Sequence, residues 1–246
     1  MAKHQSKIGQ DSVGGIDWSG KKILDIGCGN GELSLNILEI TRADSLVGID
    51  YNQDKIKKAN LAAQDQKAEF FVGDATNLVQ FKDNIFDVIF SNIAFQQFAD
   101  KKASLAEMYR PLKPNGVAIV NFVEEKSEVR QEMEKLALTK PFERVINKET
   151  FGKNSKKISK TGFDQLAKDV GFRIESESKE HIYYFPDIDS LFRTYSDLAV
   201  SFPQLAKLNK EEIDLFWHKL RIVFENKKTA EGYGDIWQVV FAKLIK

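Results

Sequence analysis

The sequence predicts an α/β fold in which a mainly parallel sheet carries helices on both faces. Three observations carry that expectation. Short apolar runs alternate with amphipathic segments through the first half of the chain. A glycine-rich stretch, Gly27-Cys28-Gly29-Asn30-Gly31, falls between the first apolar run and the segment after it. Hydrophobic residues make up 42% of the 246, with 11% aromatic, which is apolar material enough for a real core in one large domain.

The elements follow in order. Lys22–Ile26 reads as a buried strand, followed by the glycine loop and a helix to about Ile40. Ser45–Asp50 is a second strand. Asn52 caps a helix from Gln53 to Gln64, because its side chain can accept from free amides of the first turn. Ala68–Val72 and Ile85–Phe90 are the third and fourth strands. A helix from Ala103 to Leu112 is stopped by Pro111 and by a turn at Lys113-Pro114-Asn115-Gly116, and Val117–Phe122 is the fifth strand. Beyond it, Glu124 to about Lys160 is charged and helical in places. Gly162–Val170 is a short helix ended by Gly171, and Phe172 to Phe185 is mostly extended. Two helices follow, near Ile188–Val200 and Lys210–Phe224. The second carries an apolar stripe of Ile213, Phe216 or Trp217, Leu220 and Val223. Asp235–Leu244 closes the chain as a strand.

Composition bounds the function. Thirty-six basic residues balance 36 acidic ones, which argues against bulk electrostatic binding to nucleic acid or anionic lipid. A lysine cluster at Lys153, Lys156, Lys157 and Lys160 reads as a solvated loop, with contact to an acidic carrier protein the sharper alternative. One cysteine, Cys28, allows no intrachain disulfide and no cysteine-built zinc site. The polar amino terminus and the lack of a run of ~20 apolar residues lead to the expectation of a soluble cytoplasmic protein.

The chemistry gathers at the glycine loop. Glycines at 27, 29 and 31 let backbone turn sharply and approach a ligand with no side chain between. A loop after the first strand of an open α/β sheet is where such folds place ligands. Asp50 ends the second strand, where a carboxylate can accept both hydroxyls of a ribose. A dinucleotide fingerprint wants glycine at position 32, which is Glu32, and a glutamate beside a pyrophosphate would put like charges on one helix end. The pattern suits a ligand with ribose and adenine but no phosphate, namely S-adenosylmethionine. Asp74, after the third strand, can accept from the adenine amino group. No metal site is expected.

Four stretches in this order, Leu24-Asp-Ile-Gly-Cys-Gly-Asn-Gly31, Val47-Gly-Ile-Asp50, Gly73-Asp-Ala75 and Phe86-Asp-Val-Ile-Phe-Ser-Asn92, resemble class I S-adenosylmethionine-dependent methyltransferases over about residues 20 to 125. The resemblance implies a Rossmann-like fold: a seven-stranded, mostly parallel sheet with an antiparallel last strand and a helical cap insertion. One domain spans 1–246, with its core at about 20–123, 161–185 and 232–246 and cap elements at about 124–160 and 186–231. It also implies a cofactor-binding set of Asp25, Gly27, Cys28, Gly29, Asn30, Gly31, Asp50, Tyr51, Asp74, Ala75, Ser91, Asn92 and Ile93, with Ser91, Asn92 and Ile93 facing the methyl group and the substrate.

Within the family, Ser91-Asn-Ile-Ala-Phe-Gln-Gln-Phe98 and the layout of the tail are similar to trans-aconitate and malonyl-carrier-protein methyltransferases, which esterify carboxylates. Gln96-Gln97 stands where those enzymes usually have Gln-Trp. Only about twenty residues precede the first strand, they include Gly14 and Gly15, and the tyrosine-bearing amino-terminal helix of the trans-aconitate enzymes is not evident. The resemblance implies O-methylation of a small carboxylate, free or carrier-bound, by a monomer or homodimer. N-, C- or phenolic O-methylation of another metabolite is the alternative. An ionised carboxylate needs positioning and partial neutralisation, whereas an ammonium or phenol needs a base. Gln97, Tyr183, Tyr184 and Arg193 are the candidates to hold a carboxylate, and His4 is a candidate catalytic group. His181 is ambiguous and His218 reads as a packing or surface residue.

Overall fold

The computed structural model describes residues 2–64, 67–125, 127–145, 158–197 and 205–246. The chain divides into two compact units: Ala2–Glu124, Lys156–Lys179 and Val239–Lys246, here the sheet unit, and Glu125–Ser155 with Glu180–Gln238, here the helical unit.

The strands of the sheet are β1 (Lys22–Ile26), β2 (Ser45–Asp50), β3 (Ala68–Val72), β4 (Phe86–Asn92), β5 (Leu112–Glu125), β6 (Arg173–Phe185) and β8 (Gly232–Ile245), in the order β3-β2-β1-β4-β5-β8-β6. The sheet unit holds β1 to β4, β5 through Glu124, β6 through Lys179 and β8 from Val239. The pairs β1·β2, β1·β4, β2·β3 and β4·β5 are parallel. A two-residue strand, β7 (Lys228–Thr229), pairs antiparallel with β8 and adds an eighth to the seven expected. Strand order reverses beside β1, so the carboxyl ends of β1 and β4 flank a topological switch point, where open α/β sheets leave a crevice.

Alternation along the strands splits the apolar side chains between two faces. Ile23, Leu46, Val88 and Phe90 join a cluster with Trp18, Ile37, Ile56, Ala59 and Phe70, on the side of α2 (Glu32–Thr41) and α3 (Gln53–Ala62). Leu24, Ile26, Ile49, Ile89 and Phe122 join the opposite cluster with Leu105, Met108, Phe163 and Ala167, from α4 (Lys101–Tyr109) and α6 (Lys160–Val170). Helix ends have local causes. The Asn52 side chain accepts from the N–H groups of Asp54 and Lys55, and Gly171 stops α6 at φ +114°. At the open edge of the sheet, the Asn60 side-chain amide donates to the Phe70 carbonyl at 2.9 Å and its oxygen accepts the Phe70 N–H at 3.3 Å.

Two expectations need correction here. Residues Ala2–Ser12 form a helix, α1, where none was legible; its Ile8 is fully buried and it carries no tyrosine. Lys113–Gly116 is not a free turn before a strand. β5 begins at Leu112 with an irregularity in its pairing to β4 between Phe86 and Val88, and Asn115 and Gly116 exchange backbone hydrogen bonds with Lys246, which extends the strand through the proline-glycine segment.

In the helical unit, α5 (Glu128–Ala137), α7 (Ile188–Asp197) and α8 (Lys210–Glu225) enclose a core of Val129, Met133, Leu191, Phe192, Phe216, Leu220 and Phe224. Asn209 and Glu212 close a capping box at the start of α8. The inward stripe of α8 ends in Phe224, whereas Val223, expected there, is exposed. Ser127, Tyr195, Trp237 and Asp235 form a buried polar cluster in which the Tyr195 hydroxyl and the Trp237 indole both donate to Asp235 Oδ2.

Candidate active site

A cavity of about 690 Å³ opens in the sheet unit at the switch point. From β1 and the loop after it, Asp25, Gly27, Cys28, Gly29 and Asn30 line it, and Asp50 and Tyr51 come from the end of β2. Asp74 and Ala75 follow β3, Asn92 ends β4, and Ile93 and Gln97 follow it. Two of the expected cofactor residues are not among the residues lining the cavity. Gly31, at φ +78°, lies where a Cβ would stand 2.9 Å from Ala59 Cβ, so its smallness lets α2 approach α3. Ser91 is fully buried and donates to the Ile26 carbonyl at 2.8 Å, tying β4 to β1.

The loop geometry follows from its glycines. Gly27 sits at φ +84°, and a Cβ there would fall 2.3 Å from Ala94 Cβ. Gly29 sits at φ +61° with nothing within 4 Å of the corresponding point, so bare backbone faces open space. Gly27 N–H and Cys28 N–H both donate to the Ile49 carbonyl, at 2.7 and 3.0 Å, which fastens the loop to β2. Cys28 is buried. Burial first, then the charges of Asp25 and Asp50, push its thiol far up, so it stays protonated and serves as filler.

The acids are held in defined positions. Asp50, 6% exposed, accepts the Gly29 N–H on Oδ2 at 3.0 Å and the Asn52 N–H on Oδ1 at 2.9 Å. Each oxygen retains a lone pair for a further donor. Asp25, 3% exposed, accepts from the Ser34 hydroxyl at 2.6 Å. Burial pushes its pKa up to about 7; the Ser34 hydrogen bond opposes this and the Asp50 charge adds to it. Asp74 is exposed, with Oδ1 held by the N–H and hydroxyl of Thr76, both at 2.8 Å.

The sequence reading missed part of the wall. Gln5 and Ser6 of α1 line the cavity, as do Lys55 and Lys58 of α3, Glu32, Leu33, Phe98 and Ala99. Nothing in the spacing of α1 marks Gln5 or Ser6. Lys55 and Lys58, three residues apart on one face of α3, were not singled out in the sequence.

The remaining candidates are placed as follows. His4 lies in α1, with its side chain outside the described residues, as are Lys153, Lys156 and Lys157. Lys160 pairs with Asp164 at 2.7 Å. Tyr183, Tyr184 and Arg193 belong to the helical unit. Tyr183 packs edge-on against Phe185, Tyr184 is 38% exposed, and Arg193 Nη2 donates to the Ser190 hydroxyl at 3.2 Å. His218 is exposed on α8. Among the described residues, no three His, Cys, Asp or Glu side chains are grouped to hold a metal ion, and no helix is long and apolar enough to cross a membrane.

The cavity suits a cationic adenosine compound better than a phosphorylated one. Four acids, Asp25, Glu32, Asp50 and Asp74, line it against two lysines. A buried carboxyl raised to about 7 gains from a neighbouring ammonium and loses beside a phosphate. Bare backbone at Gly29 and two accepting oxygens on Asp50 supply what an amino-acid chain and a ribose need.

Comparison with known proteins agrees. A methyltransferase-domain family model matches residues 17–183. A demethylmenaquinone methyltransferase of Leptospira interrogans is 32% identical over 99 residues, 39% of this chain and 40% of that protein. A 2-methyl-6-phytyl-1,4-hydroquinone methyltransferase of Synechocystis is 36% identical over 110 residues, 44% of this chain and 34% of that protein. The matched stretches therefore span well under half of those curated relatives. Among solved structures, the YcgJ protein of Bacillus subtilis superposes with a TM-score of 0.64 at 15% identity, covering 100% of this chain and 99% of that one. Phosphoethanolamine N-methyltransferase 2 of Haemonchus contortus, in complex with S-adenosyl-L-methionine, gives 0.61 at 19% identity, covering 98% of this chain and 52% of that one. The fold is the Rossmann-like methyltransferase fold, and the chain belongs to the class I S-adenosylmethionine-dependent methyltransferases.

Proposed function

We propose that the chain transfers a methyl group from S-adenosylmethionine to a small-molecule acceptor, and that the acceptor atom is a carboxylate oxygen. The cofactor supplies a methyl group on a positively charged sulfur, open to in-line displacement. Gly27, Gly29 and Asp25 would hold its amino-acid end, Asp50 its ribose and Asp74 with Ala75 its adenine. Asp25, ionised beside an ammonium, holds that end in one orientation, and the Asp50–Gly29 hydrogen bond keeps ribose acceptor and loop in register.

One observation carries the choice of acceptor. Among the described residues, the polar groups that α1, β4 and the turn after it bring to the cavity, Gln5, Ser6, Asn92 and Gln97, are amides and a hydroxyl. None is a base at neutral pH. A carboxylate arrives ionised and needs donors to orient it, which amides supply. The relatives named for quinone and hydroquinone substrates favour a second reading, methylation of an electron-rich ring.

Labelled-methyl transfer into a fractionated metabolite pool tests both. Label released by mild alkali marks an ester, label stable to alkali marks the ring or an amine, and absence of transfer from any fraction counts against the activity itself.

A further inference from the structure

The carboxyl ends of β4 and β5 carry a polar relay that neither the glycine loop nor the acids explain. Asn92 and Asn121 are register partners on these strands. Asn92 Nδ2 donates to the Gln5 carbonyl of α1 at 2.8 Å. Asn121, fully buried, donates through Nδ2 to Asn92 Oδ1 at 3.0 Å and to the Ser12 hydroxyl at 2.8 Å. Ser12 in turn donates to the Gly9 carbonyl at 2.7 Å. The directions are mutually fixed. A carbonyl can only accept, so Asn92 must present nitrogen to Gln5 and oxygen to Asn121. That oxygen requires the Asn121 nitrogen, and Ser12 is left to accept.

Two further features meet at this point. Gly9 faces the same amide: a Cβ there would lie 2.6 Å from Leu33 Cδ2 and 3.3 Å from Asn92 Cγ, so a larger residue would require the end of the Leu33 side chain to move aside and Asn92 to give by a few tenths of an ångström. Asn121 Oδ1 is buried with no hydrogen-bond partner, and Ile93, the residue just past the end of β4, stands at φ +52° with its N–H on the Asn121 carbonyl at 2.8 Å. A stranded buried acceptor and a β-branched residue in the left-handed region are both unfavourable, and both sit where the cavity wall is assembled.

We infer that Asn121 is a positioning residue: through Asn92 and Ser12 it latches α1 across the cavity and so places Gln5 and Ser6 in the wall. Because Asn121 Oδ1 is satisfied only when water reaches it, the latched state is poised against an open one, with Gly14 and Gly15 as the pivot. Gly15 already adopts φ +77°, and neither glycine has a neighbour within 4 Å of its missing side chain. Ligand exchange then requires α1 to swing. This rests on the proposed cofactor site only in naming the ligand; the latch itself stands on the geometry of α1.

Amide hydrogen exchange on the full chain, with and without S-adenosylhomocysteine, tests it. In Asn121→Ala and Ser12→Ala, exchange across residues 5–12 should speed up tenfold or more. Amides of β1 and β4 should keep their wild-type rates, and S-adenosylhomocysteine should dissociate several-fold faster. Ser12→Ala removes only a surface-proximal hydroxyl, so it answers even where an Asn121 variant fails to fold. Unchanged exchange in α1, or faster exchange spread evenly over the sheet, overturns the latch. Failure of the wild type to bind S-adenosylhomocysteine would sink the cofactor proposal, while α1 exchange in the ligand-free variants would still decide the latch.

Discussion

The carboxylate of Asp50 accepts the backbone N–H of Gly29 at 3.0 Å, so the acid that ends β2 is bonded to the loop that follows β1. One side chain therefore shapes the glycine loop and offers acceptors to whatever lies against it.

Asp50→Ala strips acceptors from the Gly29 and Asn52 N–H groups together. Binding of S-adenosylhomocysteine should weaken by about 1–3 kcal/mol, roughly five- to 150-fold. Asp50→Asn retains one accepting oxygen and should fall between. Calorimetry giving wild-type affinity for the alanine variant would remove Asp50 from the site.

Gly27 and Gly29, both at positive φ, should separate folding from binding. Gly27→Ala drives a methyl into Ala94 and should lower stability by about 1–3 kcal/mol, visible in urea unfolding. Gly29→Ala meets no atom, so the protein should fold with a loss of about 1 kcal/mol from the strained φ while the added methyl obstructs ligand approach. Equal effects of both variants on stability would contradict this division.

Asp25 gives a pH signature with a definite sign. Its carboxyl is raised from 3.8 to about 7, so between these values the folded protein holds a proton that the unfolded chain has lost. Stability contributed by this group is full at low pH and declines as pH rises through that window. Asp25→Asn should flatten that slope in thermal unfolding. Ligand carrying an ammonium should expel the proton near pH 6, seen as buffer-dependent binding heat, and expel almost none at pH 8.5. No buffer dependence at pH 6 would mean that Asp25 does not meet the cation.

In the helical unit, Tyr195→Phe takes one donor from Asp235, whose carboxyl burial already pushes up. A stability loss of about 1–3 kcal/mol should follow, together with a change in the emission of Trp237, which donates to the same oxygen at 2.6 Å. Unaltered emission and unfolding would show that the cluster makes no net contribution.

The legible parts of this molecule were those dictated by local chemistry. Glycines at 27 and 29 and an acid at 50 declare a ligand loop because only those residue types fit such backbone and such hydrogen bonds. Asn52 and Gly171 declared helix ends for the same reason. The amino-terminal helix was not legible, because among the described residues of Ala2–Ser12 one apolar side chain, Ile8, is fully buried, and the helix is fastened by amides on β4 and β5 more than eighty residues away. The Pro114-Asn115-Gly116 segment carries every local mark of a turn. Pairing with Lys246 at the far end of the chain overrides them. Gly31 and Ser91 matched a pattern whose positions are shared between ligand contact and packing, and spacing alone does not divide the two.

The bidentate grip of Asn60 on Phe70 also limits how copies of this chain can meet. β3 presents its outer rim to solvent, with Phe71 and Val72 exposed beside it, a combination that ordinarily invites an extra strand. With both outward polar groups of Phe70 already engaged by a side chain of the neighbouring helix, an incoming backbone finds its central docking points taken. Fibril-like stacking along that rim is thereby discouraged by a single amide.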